Sequence, residues 1–166
     1  MLLYNRRFFL LSTAGATAGA AAALAGCGFT PAFGPGSVAQ GLQNTVMLRA
    51  PTNKNEYDFV KAVEDRLGYA TTHTYNLTYS ISIASETVAV TTAQEQQRVN
   101  LNGTLDFTLT HVDGTAIARG RETGFTSYST SGSTIATDSA QKDANRRLMQ
   151  ILVDHMVVSF AAKLAP

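Results

Sequence analysis

Between Tyr75 and Tyr128 the chain alternates apolar and polar residues in three successive runs, and that alternation leaves little choice of architecture. Tyr75, Leu77, Tyr79, Ile81 and Ile83 are separated by Asn76, Thr78, Ser80 and Ser82; Val99, Leu101, Leu105, Phe107 and Leu109 are interleaved with Asn100, Asn102, Thr104, Asp106 and Thr108. Side chains along a strand point to opposite faces in turn, so each run predicts a strand with one buried and one wet face. Asp113-Gly114 offers the positive-φ positions of a tight hairpin, and Ala116 to Tyr128 returns as the next strand. Three successive antiparallel strands are expected. Val88 and Val90 fall on the opposite parity from Ile83, which predicts a bulge or bend between Ala84 and Thr87.

A sheet with one apolar face needs a cover, and the flanking segments supply it. Thr45 to Ala50, TVMLRA, reads as a short strand stopped by Pro51. Asn53 precedes Glu56 by three residues in a capping-box arrangement; Tyr57, Val60, Val63 and Leu67 follow at helical spacing, and Gly68 closes the helix. The longest helix is expected at the end, capped by Asp138 with Gln141, with Ala140, Ala144, Leu148, Ile151, Leu152 and Val158 along one stripe. Met149, Val153, Met156, Val157 and Phe160 occupy a second arc, so either the core wraps round this helix or the arc meets a partner. The expected fold is α+β, with two helices packed on one face of a four-stranded mixed or antiparallel sheet in a β-α-β-β-β-α sandwich. The first strand is free to pair with an edge or with the middle of the meander.

The amino-terminal part has a different chemistry. MLLYNRR ends in Arg6 and Arg7, residues 8 to 25 carry no charge and read FFLLSTAGATAGAAAALA, and Gly26 and Cys27 follow. A basic start, an apolar stretch and small residues at a cut point are the parts of an export signal. Alanine and glycine make up more than half of the apolar stretch, which is too weak for a permanent span. Cys27 is the only cysteine, so neither a disulfide nor a cysteine-rich metal site explains it. Leu24-Ala25-Gly26-Cys27 resembles the bacterial lipobox, which implies that Cys27 becomes the first mature residue, diacylated on sulfur and acylated on nitrogen. Gly28 in place of an aspartate implies, by the same resemblance, the outer membrane. Asn5-Arg6-Arg7-Phe8-Phe9-Leu10 resembles the twin-arginine export motif and is equally an ordinary basic start. The expected organisation is a signal peptide over 1–26, a lipidated amino terminus and flexible tether over 27–43, and a single α+β domain over 44–166.

Loss of Arg6 and Arg7 leaves eleven basic against twelve acidic residues, a near-neutral body with no global field for nucleic acid. His73, His111 and His155 show no metal-ligand spacing, Ser127, Ser129, Ser131 and Ser133 form no GxSxG elbow, and no glycine-rich phosphate loop occurs. His155 is expected as a hydrogen-bonded core residue on the last helix. Glu64-Asp65 is expected on the exposed side of the first helix, and Asp143 should pair with Arg147 four residues on. The expectation is a protein that is not an enzyme and that carries no metal and no cofactor.

The LAGCGF lipobox running into proline, glycine and aromatic residues, the element order, the Asp113-Gly114 hairpin and Gly124-Phe125-Thr126-Ser127-Tyr128 before an alanine-spaced helix resemble the lipopolysaccharide-assembly LptE family, in its short alphaproteobacterial form. The resemblance implies an outer-membrane lipoprotein, held by its acyl chains and facing the periplasm, that plugs and helps assemble the LptD β-barrel and contacts lipopolysaccharide. Such a body needs a polar exterior for a wet barrel lumen, and the serine- and threonine-rich strand faces provide one. An anionic glycolipid would call for guanidinium groups: Arg98 starts the third strand, and Arg119 and Arg121 share a face of the fourth. These three arginines are either a basic patch or ordinary solvated charge. Two alternatives differ in partner, namely an auxiliary lipoprotein of a lipid-transport ABC system and a structural envelope lipoprotein. Cys27→Ala is expected to leave the protein without acyl chains and largely soluble in the periplasm, as checked by fractionation and acyl labelling; persistent label would contradict the anchor.

Overall fold

The computed structural model describes residues 38–89 and 97–164; the leader, Cys27 and the expected tether as far as Ser37 lie outside them. Seven elements follow in order: α1 (Val38–Leu42), β1 (Val46–Leu48), α2 (Lys54–Leu67), β2 (Tyr75–Ala89), β3 (Gln97–His111), β4 (Ala116–Ser129) and α3 (Thr134–Leu164). The strands form one mixed sheet in the order β1-β2-β3-β4, with β1 parallel to β2 and the other pairs antiparallel. The first strand therefore takes the edge beside β2. The expected sandwich is present, with α2 and α3 on the same face, and α1 is added: Leu42, expected in the tether, is in the core.

Parity explains the layers. Leu77 and Tyr79 of β2, Val99, Leu101, Leu105, Phe107 and Leu109 of β3, and Ala118 and Thr126 of β4 are buried on the inner face. Their alternates, including Thr78, Ser80, Asn102, Thr104, Asp106, Thr108 and Arg119, form an outer face that no helix covers among the described residues. The register of β2 with β3 runs unbroken from Tyr75↔His111 to Ala89↔Gln97, so the bulge expected between Ala84 and Thr87 is absent. Val88 keeps its parity and stands on the outer face, 39 % exposed. The irregularity lies instead between Leu109 and Thr110, where pairing to β4 shifts by one residue. Its cause is the turn. His111 bonds Thr115 across a three-residue loop in which Gly114 alone has positive φ, 91°, and the bulge returns the extra residue.

Asn53 caps α2 as expected, its side chain accepting from Glu56 N at 2.9 Å. Glu56 does not complete the box; its carboxylate takes the Thr52 N–H at 2.8 Å and Arg49 at 2.9 Å. The buried face is also rotated from the expected one. Phe59, Ala62, Val63 and Leu67 point inward and Tyr57 is exposed, with Phe59 stacking on Tyr79 at 4.6 Å between centroids.

α3 starts at Thr134, one turn before the expected Asp138, because Ser133 Oγ accepts from Ala136 N at 3.3 Å. Asp138 pairs with Lys142 instead, at 2.6 Å. Of the two explanations for its second apolar arc, the wrapping core holds: Met149, Val153, Met156, Val157 and Phe160 are buried, as Leu148 and Leu152 are. Val158, assigned to the first stripe, is 65 % exposed.

The helix closes on the sheet over a pair of glycines. Gly103 and Gly124 lie opposite each other on β3 and β4. A Cβ on Gly103 would stand 3.1 Å from three atoms of Leu148, and one on Gly124 would stand 3.2 Å from Ile151, Leu148 and Leu152. Thr126, further along β4, donates its hydroxyl to the Ala144 carbonyl at 3.2 Å, fixing the helix where small Ala144 meets the strand. Gly124→Val is expected to destabilise the fold by about 1–3 kcal/mol through overpacking, measured by denaturant unfolding. Adding Leu148→Ala should recover part of that loss, since the two changes share one contact and are not additive.

Candidate functional site

The outer face of the sheet carries an open groove of about 580 Å³, lined by the side chains of Thr78, Ser80, Asp106, Thr108, Arg119 and Arg121 on three adjacent strands. All six project from it because strand parity turns them away from the helices. Hydroxyls fill its middle: Thr78 Oγ1 donates across to the Thr108 carbonyl at 3.3 Å. At one side Arg121 meets Asp106 with Nε at 2.7 Å and Nη2 at 3.1 Å, a forked pair on directly opposed residues. The guanidinium hydrogen bond holds the Asp106 carboxyl below the usual aspartate range and raises Arg121 in turn. Arg119, paired in register with Thr108, makes no ion pair among the described residues. The groove thus offers one compensated and one free guanidinium among neutral hydroxyls.

The three arginines singled out from the sequence do not form one cluster. Arg119 and Arg121 share the groove, whereas Arg98 pairs with Ser129 near the far end of the hairpin. Eight residues of β3 separate it from Asp106, about 27 Å at strand rise. Asp106 was readable only as a polar-face residue, yet a turn centred on Asp113-Gly114 sets it opposite Arg121, and that register was the available signal. Cys27 lies outside the described residues.

The histidines are dispersed. His73 bonds Asn76 at 2.7 Å, and His111 lies 3.1 Å from Asp113 and edge-on to Tyr75. His155 is exposed rather than in the core, its Nδ1 3.0 Å from the Thr123 carbonyl. Among the described residues no group of His, Cys, Asp or Glu could hold a metal ion, and no helix is long and apolar enough to cross a membrane. Asp143 pairs with Arg147 at 2.9 Å as expected, and also with Arg146; Asp65 is exposed beside Lys61 as expected, whereas Glu64 is half-buried. A second concavity of about 310 Å³ lies between β1 and α2, lined by Met47, Leu48, Arg49, Val60, Glu64 and Tyr69 among others.

The model of the family described as "LptE: Lipopolysaccharide-assembly" matches residues 43–159, most of the chain. The chain belongs to the LptE family. Its fold is similar to a crystal structure of a lipoprotein from Caulobacter crescentus CB15, at 20 % identity over 77 % of this chain and 96 % of that one, with a TM-score of 0.64. It is also similar to the rare lipoprotein B from Shewanella oneidensis, at 12 % identity over 71 % and 92 % of the two chains, with a TM-score of 0.53. No curated protein matches by sequence. The LptE match begins at Gln43, next to buried Leu42, and ends at Ser159, so it spans the sheet and nearly all of both long helices.

The forked pair sets a pH dependence. A carboxyl whose folded value is lowered contributes above the ordinary aspartate range and loses that contribution as pH falls through the lowered value. In a carboxyl-carbon NMR titration Asp106 is expected to titrate below ordinary aspartate, and Arg121→Ala to return it to the ordinary range; an unshifted Asp106 in the parent chain would contradict the pairing.

Proposed function

We propose that this LptE-family chain is an outer-membrane lipoprotein, anchored through acyl groups on Cys27, that serves lipopolysaccharide assembly as the plug and assembly partner of the LptD β-barrel. Family membership gives the process, and the uncovered outer face is the observation that supports the role. A body seated in a water-filled lumen needs a surface that exchanges hydrogen bonds with polar barrel residues and does not bind them through fixed charge. The outer face has that character: threonine, serine and asparagine dominate it, and its most central charge, Arg121, is neutralised by Asp106. The role is one of binding and assembly without catalysis.

Lipopolysaccharide, an anionic glycolipid, would meet the groove at Arg119, with Arg121 available when Asp106 gives it up and Arg98 as a separate cation at the other end of the face. Guanidinium groups suit phosphate oxygens, and the hydroxyls of Thr78, Ser80 and Thr108 suit sugars.

Affinity purification of the detergent-solubilised full chain from envelopes tests the reading. Recovery of a large heat-modifiable β-barrel is the expected result. Recovery of an ATPase, or of no partner, overturns it in favour of a transporter accessory or a structural lipoprotein.

A further inference from the structure

β4 is an edge strand fourteen residues long, and an edge of that length presents a template for another chain. Which of its backbone groups face outward follows from the register. Tyr75 N donates to Thr45 O at the start of β1, so odd-numbered residues of β2 face β1 and even-numbered ones face β3. Carried through the pairings, this turns odd-numbered residues of β3 toward β4, even-numbered residues of β4 toward β3, and odd-numbered residues of β4 toward the free edge.

Three of those odd-numbered carbonyls are already occupied, all by α3. Lys163 Nζ donates to the Arg119 carbonyl, His155 Nδ1 to the Thr123 carbonyl at 3.0 Å, and Arg147 Nη2 to the Ser127 carbonyl at 3.5 Å. A carbonyl only accepts, so the second bond requires the proton on Nδ1 of His155. The donors are eight residues apart on the helix and the acceptors four apart on the strand. Eight helical residues rise about 12 Å. Four strand residues rise about 13 to 14 Å. The two repeats run in opposite directions and stay in step. Gly120 helps, since a Cβ there would sit 2.8 Å from Lys163 Nζ.

We infer that Arg147, His155 and Lys163 form a guard along β4 that keeps this edge from accepting a further strand. An added strand bonds at every second residue, and the guard takes every second one of those positions, at 119, 123 and 127. Arg121 and Phe125 remain between them as isolated positions, so no two consecutive bonding sites are open. On the opposite side β1 pairs only with Tyr75 to Leu77 of β2, and the guard is confined to β4. The guard acts on this chain's own backbone and holds whether or not a barrel is the partner.

The test uses the full chain in detergent micelles, with self-association followed by density-matched sedimentation velocity and β4 amides by hydrogen exchange. R147A/H155A/K163A is expected to self-associate at least tenfold more tightly than the parent, with new protection at the amides of Arg121, Thr123 and Phe125. R147K/H155Q/K163R, which keeps a donor at each position, should behave as the parent. K142A/R146A, which removes two cations from the same helix away from β4, should also behave as the parent. A triple-alanine variant that stays as dissociated as the parent overturns the inference, as does association without protection of β4 amides or association equal to that of K142A/R146A. If the triple-alanine variant does not fold, K163A alone is measured by the same two readouts and decides by the same outcomes.

Discussion

Leu148 resting on Gly103 and Gly124 is the contact on which the rest of this structure depends. A long helix reaches a sheet closely only where the strands withdraw their side chains, and these two glycines withdraw them on adjacent strands at the same level. Once α3 is seated there, Leu152, Phe160 and the second arc of Met149, Val153 and Met156 are buried, and α2 closes the remaining flank with Phe59 against Tyr79. Arg66 of α2 then reaches Asp154 of α3 at 2.7 Å, an exposed bridge that follows from the packing more than it drives it.

Among the described residues, concentrating both long helices on one face leaves the other uncovered, and the chemistry of that face is consistent with an LptE protein. It is wet without being strongly charged. The Asp106–Arg121 pair cancels one cation, while Arg119 has no ion-pair partner among the described residues and gives the groove its positive charge. The exposed edge of β4 is met by donors from α3.

Much of the fold was legible because strand parity is a strict period of two: the three long strands, their wet faces and the pairing of β2, β3 and β4 follow from it. Helical stripes were less so. Tyr57 and Val158 fit an apolar period but face water, since a 3.6-residue period tolerates a rotation of one position that only tertiary contacts settle. Val88 suggested a bulge because an exposed valine on a polar face looks the same in sequence as a shift of register. For the site, the shared face of Arg119 and Arg121 was readable, but the separation of Arg98 needed the register from the hairpin. His155 was misplaced for a related reason. Eight residues advance about 80° round a helix, so Arg147, His155 and Lys163 form no visible stripe, and only the strand beside them shows what they share.

The outer sheet face is the surface proposed to meet the partner. A photo-crosslinking residue at Thr104, in the middle of that face, measures this directly in intact envelopes, with exposed Gln150 of α3 as the comparison. A crosslink from Thr104 to a large β-barrel is the predicted result. Crosslinks to a barrel from Gln150 with none from Thr104 would contradict it.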